Sequence, residues 1–153
     1  VDKRPFLRPE QPLALKEACD LLGVKFDGND GTLVPYDPSH IPPNAVYWMR
    51  CQDGRAYRNH TPNDCRTEFT SRGDEIGLAA FEGLSAYAQN PDIVEVGTAM
   101  DLPGSVPSAD RGDCACLGRW SAGGVKLYWL WYDIADPSYG SASRGSESLI
   151  PRS

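Results

Sequence analysis

The clearest hydrophobic pattern in the chain lies near its C-terminal end, in a segment rich in tryptophan and tyrosine. Residues 125–132 alternate between two faces with a period of two, and both faces are largely apolar. The run 114–120 before it is long enough to pair with it, and residues 121–124 supply glycines for a tight connection. This pattern predicts an antiparallel hairpin inside a sheet that is covered on both sides.

Two segments carry the spacing of apolar residues that is typical of helices. Residues 13–22 place their leucines and alanine on one face, and Gly23 ends the predicted helix. A second helix is predicted over residues 74–89, where acidic residues stand in the first turn. Gly77 and Gly83 lie inside it at a cost in helix stability, so we expect them to allow close packing against a strand.

The remaining segments predict short strands and an irregular connection. Residues 27–44 are rich in Gly, Asn, Asp and Pro, which excludes regular helix. A strand is predicted over residues 46–51, and the Asp-Gly pair at 53–54 predicts a hairpin turn into a second strand around residues 55–58. Residues 94–102 form a further strand candidate. Together these elements predict an α+β fold, built on an antiparallel or mixed sheet with two main helices.

Composition narrows this picture to one compact domain over residues 1–153, with extended termini at 1–10 and 144–153. The chain has 153 residues, of which 41% are hydrophobic, so it can bury a core without metal or disulfide. A net charge of -6 argues against general nucleic-acid binding, which normally requires a basic surface. No apolar stretch of membrane-spanning length and no signal-peptide pattern is visible, which predicts a cytoplasmic protein without membrane contact.

The five cysteines do not form the even, regularly spaced set that is typical of a secreted disulfide framework. We therefore expect reduced thiols. Cys114 and Cys116 share one face of a predicted strand and are the candidates for a zinc site. Because no Cys-x-x-Cys pair occurs and buried cysteine is common in cores, the sequence favours no metal and no cofactor.

Several short motifs in the last two thirds of the chain resemble, in their order, a bacterial family known only as a domain of unknown function. They are the segment 47–54 with its Asp-Gly turn, Arg-Asn-x-x-Pro at 58–62, Leu-x-x-x-Glu-Gly-Leu at 78–84, Pro-Gly-Ser at 103–105, Lys-Leu-x-Trp-x-Trp at 126–131 and Gly-Ser-Ala-Ser at 140–143. The segment 110–114 departs from the family's pattern. The resemblance implies a bacterial, intracellular setting and no catalytic residues.

The distribution of arginine is the best indication of a binding site. Five of the eleven arginines lie between positions 50 and 72 of an otherwise acidic chain: Arg50, Arg55, Arg58, Arg66 and Arg72. Guanidinium groups suit bidentate capture of carboxylate or phosphate, so Arg50, Arg55, Arg58 and Arg66 predict a site for an anionic small molecule or an acidic protein segment. The alternative is that these arginines decorate an exposed hairpin and pair with neighbouring carboxylates.

An enzymatic function has only weak candidates. Cys65 and His60 lie five residues apart near the arginines, which could lower the pKa of the thiol. Glu75 and Glu82 form a possible carboxylate pair on a helix, although a solvated helix face explains both. No serine-hydrolase, phosphate-loop or zinc-protease motif occurs. The sequence therefore favours a non-enzymatic binding protein, with a small hydrolase or transferase using Cys65 and His60 as the alternative.

Overall fold

A five-stranded mixed sheet occupies the centre of the protein. The computed structural model describes residues 14–40, 47–121, 124–131, 133–146 and 150–151. The helices are α1 (Leu15–Leu22), α2 (Pro62–Arg72) and α3 (Ala80–Gln89), with 3-10 turns at Pro38–His40, Arg55–Tyr57 and Pro91–Ile93. The strands are β1 (Lys25–Phe26), β2 (Leu33–Pro35), β3 (Tyr47–Trp48), β4 (Cys51–Gln52), β5 (Glu75–Gly77), β6 (Thr98–Leu102), β7 (Ser105–Pro107), β8 (Asp113–Ser121), β9 (Gly124–Trp131), β10 (Tyr139–Ser141), β11 (Ser143–Gly145) and β12 (Ile150–Pro151).

The main sheet has the strand order β1-β9-β8-β6-β10. Its three middle strands are antiparallel, and the two edge strands β1 and β10 run parallel to their neighbours. The predicted hairpin is confirmed as β8 and β9, with Leu117 opposite Leu127 and Cys116 opposite Tyr128. The α+β fold with a mixed sheet is thus confirmed.

One face of this sheet, which we call the α3 face, holds the main hydrophobic core. Met100, Leu102, Leu117 and Leu127 are almost fully buried there and pack in one cluster with residues of α1 and α3. Gly83 of α3 lies directly over Leu102: a Cβ atom at this glycine would come within 2.6 Å of the leucine side chain. The sequence-based expectation that Gly83 permits close packing against a strand is confirmed.

The opposite face of the sheet, the α2 face, is more polar. The alternation of the strands places six of its residues together: Asp101, Cys114, Cys116, Tyr128, Tyr139 and Ser141. Cys65 of α2 is buried close to Ser141 and Asp101. Both faces of the β8–β9 hairpin are therefore covered over much of its length, as its apolar pattern predicts.

Three small sheets surround the main one and correct several predicted elements. They have the orders β4-β11-β5, β2-β7 and β3-β12. The predicted hairpin over residues 46–58 is wrong, because β4 pairs with β11 and the supposed second strand is a 3-10 turn. Gly54 has a φ of 86° and crosses so close to Gly140 that neither position has room for a side chain. This contact between distant segments, and not a local turn, determines the path after β4.

The helices also differ in part from prediction. α1 ends at Gly23, as expected, in the left-handed conformation with φ 68°. The predicted helix over residues 74–89 is wrong in its first part, because β5 pairs with β11 there and α3 begins only at Ala80. α2 was not predicted at all. It is capped by the Thr61 side chain and begins with Pro62. Because it buries only a narrow stripe of side chains, its sequence lacks a clear apolar pattern.

The two segments predicted to be extended termini have different outcomes. Residues 1–10 lie outside the described residues. The predicted extended segment 144–153 begins inside β11, where Arg144 is buried, and two later residues form β12. Within the part of the chain that is described, no helix combines the length and apolarity needed to cross a bilayer.

Candidate functional site

A cavity of about 640 Å³ opens beside the hydrophobic core. Its walls come from β2, β5, the first residues of α1 and α3, and the inner side of α2. Most of the wall is apolar and includes Leu33, Val34, Phe69, Ile76 and Phe81. A concave apolar space of this size with a few polar groups is typical of binding sites for small molecules.

Arg66 supplies a cationic group to one wall of the cavity. α2 directs its side chain across Tyr36, with the guanidinium carbon 3.7 Å from the ring centre. The Nη2 and Nε groups donate to the carbonyl oxygen of Pro103, at 2.6 and 3.3 Å. The stack and the carbonyl hold the planar group in one orientation, because an arginine stacks well on an aromatic face.

A buried ionic network forms another part of the wall. Arg144 and Glu82 are 4% and 6% exposed, and the arginine Nε lies 2.7 Å from the glutamate Oε2 without the alignment of a hydrogen bond. The Arg144 Nη2 group donates to the carbonyl oxygen of His40 at 2.8 Å. Glu82 also accepts from the Tyr47 hydroxyl at 2.9 Å and from the Ala79 N–H at 3.0 Å.

The hydroxyl of Tyr47 is protonated in this network. Burial, and then the nearby Glu82 carboxylate, raise the pKa of Tyr47, so its hydroxyl stays protonated and donates to Glu82. Removing one member of such a buried pair would leave an uncompensated charge. This part of the wall is therefore charged but internally paired.

Ser105 adds a further polar group. It is 5% exposed and lines the cavity, and its Oγ accepts from the N–H of Ala80 at 2.8 Å. Among the described residues, no hydrogen bond from its own O–H group to an acceptor is found. The hydroxyl can therefore donate to a molecule in the cavity.

The structure does not gather the four predicted arginines into one site. Arg55 forms ion pairs with Asp53 at 3.2 Å and with Glu95 at 2.6 Å. Arg58 lies beside Gly140, and Arg50 is exposed next to β4. Neither lines the cavity. The fifth arginine, Arg72, pairs with three carboxylates, those of Glu68, Asp74 and Glu75.

Of this set, only Arg66 reaches the cavity. The predicted hairpin that would have aligned these arginines does not form, because the Gly54–Gly140 crossing redirects the chain. The alternative, in which the arginines pair with neighbouring carboxylates, describes Arg55, which pairs with Asp53. Arg72 is also paired within the protein.

The geometry does not support Cys65 and His60 as a nucleophile and base. Cys65 is buried inside α2, while His60 is exposed in the preceding loop. Burial is the main cause that raises the pKa of the Cys65 thiol, and the carboxylate of Asp101 adds to the rise. A nucleophilic cysteine needs the opposite environment, one that favours the thiolate.

Cys114 and Cys116 are buried side by side on the α2 face. Burial raises the pKa of both thiols, and the neighbouring Asp101 carboxylate raises them further. Among the residues that the structure describes, no three His, Cys, Asp or Glu side chains are arranged to hold a metal ion. The two cysteines pack as small apolar side chains on the α2 face of the main sheet.

The sequence indicated some of the cavity residues and missed others. Arg66 belongs to the predicted arginine cluster, and Glu82 was noted as half of a carboxylate pair. Arg144 was missed because it falls in a segment predicted to be an extended terminus. Ser105 was assigned only to a turn.

Comparison of the chain with family models, with curated proteins and with solved structures found no match. The resemblance to the bacterial family of unknown function stays an untested prediction.

Proposed function

We propose that this protein binds a small molecule with a largely apolar body and an anionic group in the cavity between α2, α3, β2 and β5. The main support for this proposal is the size of the cavity. Its volume of about 640 Å³ lies within the range of roughly 300–1,000 Å³ that is usual for small-molecule sites.

The polar groups in the wall suggest how such a ligand is oriented. Arg66 is a planar cation held at the cavity by Tyr36 and Pro103, which suits a carboxylate, sulfonate or phosphate group. Ser105 supplies a neutral donor. The Glu82–Arg144 pair is compensated within the protein, so it shapes the wall without attracting a particular charge. The ligand is thus the anionic molecule that the distribution of arginine predicts, and its site lies in the cavity.

Two fluorescent probes with the same aromatic rings test this proposal. The first is 1-anilinonaphthalene-8-sulfonate, which is anionic, and the second is N-phenyl-1-naphthylamine, which lacks the sulfonate. We expect both to bind the folded protein with a saturable fluorescence increase at one site. The substitution Arg66→Met should weaken binding of the sulfonate about tenfold or more, because a charge-assisted hydrogen bond is lost. It should leave binding of the neutral probe nearly unchanged.

A pair of variants on α2 checks the position of the site. Thr70 lines the cavity, and Thr67, one turn earlier, does not. Thr70→Trp should block both probes, whereas Thr67→Trp should bind them like the original protein. Equal binding by the two tryptophan variants, or no saturable binding at all, would contradict the proposal.

A further inference from the structure

The outer edge of β9 is open over its last residues. β1 covers this edge only at Lys126 and Leu127. Within the described residues, no further strand and no backbone hydrogen bond reaches the edge from Tyr128 to Trp131. Its outward N–H and C=O groups can therefore accept another strand.

This edge lacks the features that usually prevent strand-to-strand association. Proteins protect open edges with lysine, proline or a bulge. Here the bulge of the hairpin lies at the other end, near Gly118, and Lys126 lies where β1 already covers the edge, with its ammonium group 2.8 Å from Asp27. Trp131 is 66% exposed. The open part of β9 is thus apolar and unprotected.

The sequence of this segment is a palindrome, which indicates what the edge pairs with. Residues 128–132 read Tyr-Trp-Leu-Trp-Tyr in both directions. When two identical strands pair edge to edge around a two-fold axis, each residue must face one on the same side of the sheet. Residues on the same side of a strand are both even-numbered or both odd-numbered, so the numbers of two residues that face each other have an even sum. A centre at Leu130 meets this condition and places Trp129 opposite Trp131 of the second copy.

The alternative centre at Trp129 would bring Leu127 into the pairing. That position is already occupied, because Phe26 of β1 lies beside Leu127. The centre at Leu130 instead uses only open edge, and it brings aromatic side chains into direct cross-strand pairs, which are among the more favourable ones.

We propose that the protein forms a symmetric dimer in which the two β9 edges pair antiparallel around Leu130 and join the main sheets of both copies. The partner is a second copy of this chain, because an identical strand running in the opposite direction places Trp129 opposite Trp131 on both sides of the central Leu130 pair. This surface is separate from the cavity, whose lining includes no residue of β9.

Sedimentation equilibrium of the full chain tests the dimer. A mass of twice 16.7 kDa is expected. Trp131→Lys should weaken dimerisation at least tenfold, because it places a charge opposite Trp129 of the second copy. The control is Trp48→Lys, which changes a tryptophan of similar exposure, 59%, in another sheet and should leave the dimer intact. Circular dichroism checks that both variants are folded.

Cross-linking tests the register. Leu130→Cys, made in a Cys51→Ser background to remove the exposed thiol, should form a disulfide-linked dimer on mild oxidation, because the two residues face each other at the axis. Val96→Cys, on an exposed loop, should not. A protein that stays monomeric at its highest soluble concentration would overturn the proposal. So would a dimer that Trp131→Lys leaves intact and Leu130→Cys does not link.

Discussion

Burial controls the protonation of Asp101, which lies on the α2 face of the main sheet among three buried thiols. The side chain is 3% exposed. Desolvation raises the pKa of its carboxyl to about 7, and the nearby Asp136 carboxylate contributes to the rise. A buried carboxyl next to thiols that are themselves protonated is therefore neutral below neutral pH.

This shift makes stability depend on pH. In the unfolded chain Asp101 ionises near its ordinary pKa of 3.8, whereas in the folded protein it keeps its proton up to about pH 7. The folded state thus binds more protons between these values, and its stability falls as pH rises through that window. The contribution is fully present below the unfolded pKa and is lost above the folded one.

Asp101→Asn should remove this dependence, because the amide has nearly the same shape and does not ionise. The free energy of unfolding in urea, measured from pH 4.5 to 8, should fall with pH in the original protein by roughly 3–4 kcal/mol more than in the variant. Asp92→Asn, on an exposed 3-10 turn, is the control and should not alter the curve. Parallel curves for the original protein and Asp101→Asn would show that the carboxyl is charged in the fold.

At the scale of elements, close packing can require a glycine at a position where helix propensity alone would favour another residue. Gly83 lies in the middle of α3, where alanine would be the better helix former. The glycine is required because the helix contacts the fully buried Leu102 side chain of β6. The helix-to-sheet distance, and with it the wall of the cavity near Glu82, depends on this contact.

Gly83→Ala should therefore destabilise the protein by about 1–3 kcal/mol, since the added methyl group overpacks the core. Helix propensity alone predicts the opposite sign, a gain of about 1 kcal/mol. Ser85→Ala on the same helix is the matched control and should change stability by less than about 0.5 kcal/mol. Chemical denaturation of both variants distinguishes the two effects by the sign for Gly83→Ala.

At the scale of the whole molecule, the two faces of the main sheet provide two separate buried layers. The α3 face holds the larger apolar cluster, and the α2 face is completed by α2 with Cys65 and Phe69. Each of the five cysteines is a free thiol, and four of them are buried. The packing of these layers accounts for the fold without a cross-link.

We therefore expect thermal unfolding to give the same midpoint with and without a strong chelator, and with and without a reductant. Scanning calorimetry of the freshly purified protein measures all four conditions. A lower midpoint in the chelator would point to a metal at Cys114 and Cys116. A lower midpoint in the reductant would reveal a disulfide.

Features that depend on neighbouring residues could be read from the sequence. The β8–β9 hairpin follows from alternation around a glycine-containing turn, and α1 follows from its apolar spacing and the glycine at its end. The α+β class follows from the mixture of the two patterns. The arginine cluster to which Arg66 belongs could be recognised from the distribution of arginine along the chain.

Contacts between distant segments decided the rest. The Gly54–Gly140 crossing replaced the predicted hairpin, and pairing with β11 turned the start of a predicted helix into β5. The cavity wall depends on Arg144 meeting Glu82, from segments far apart in the chain. Local propensity carries no information about such pairings, because their free energy comes from burial and charge compensation that exist only after the chain has folded.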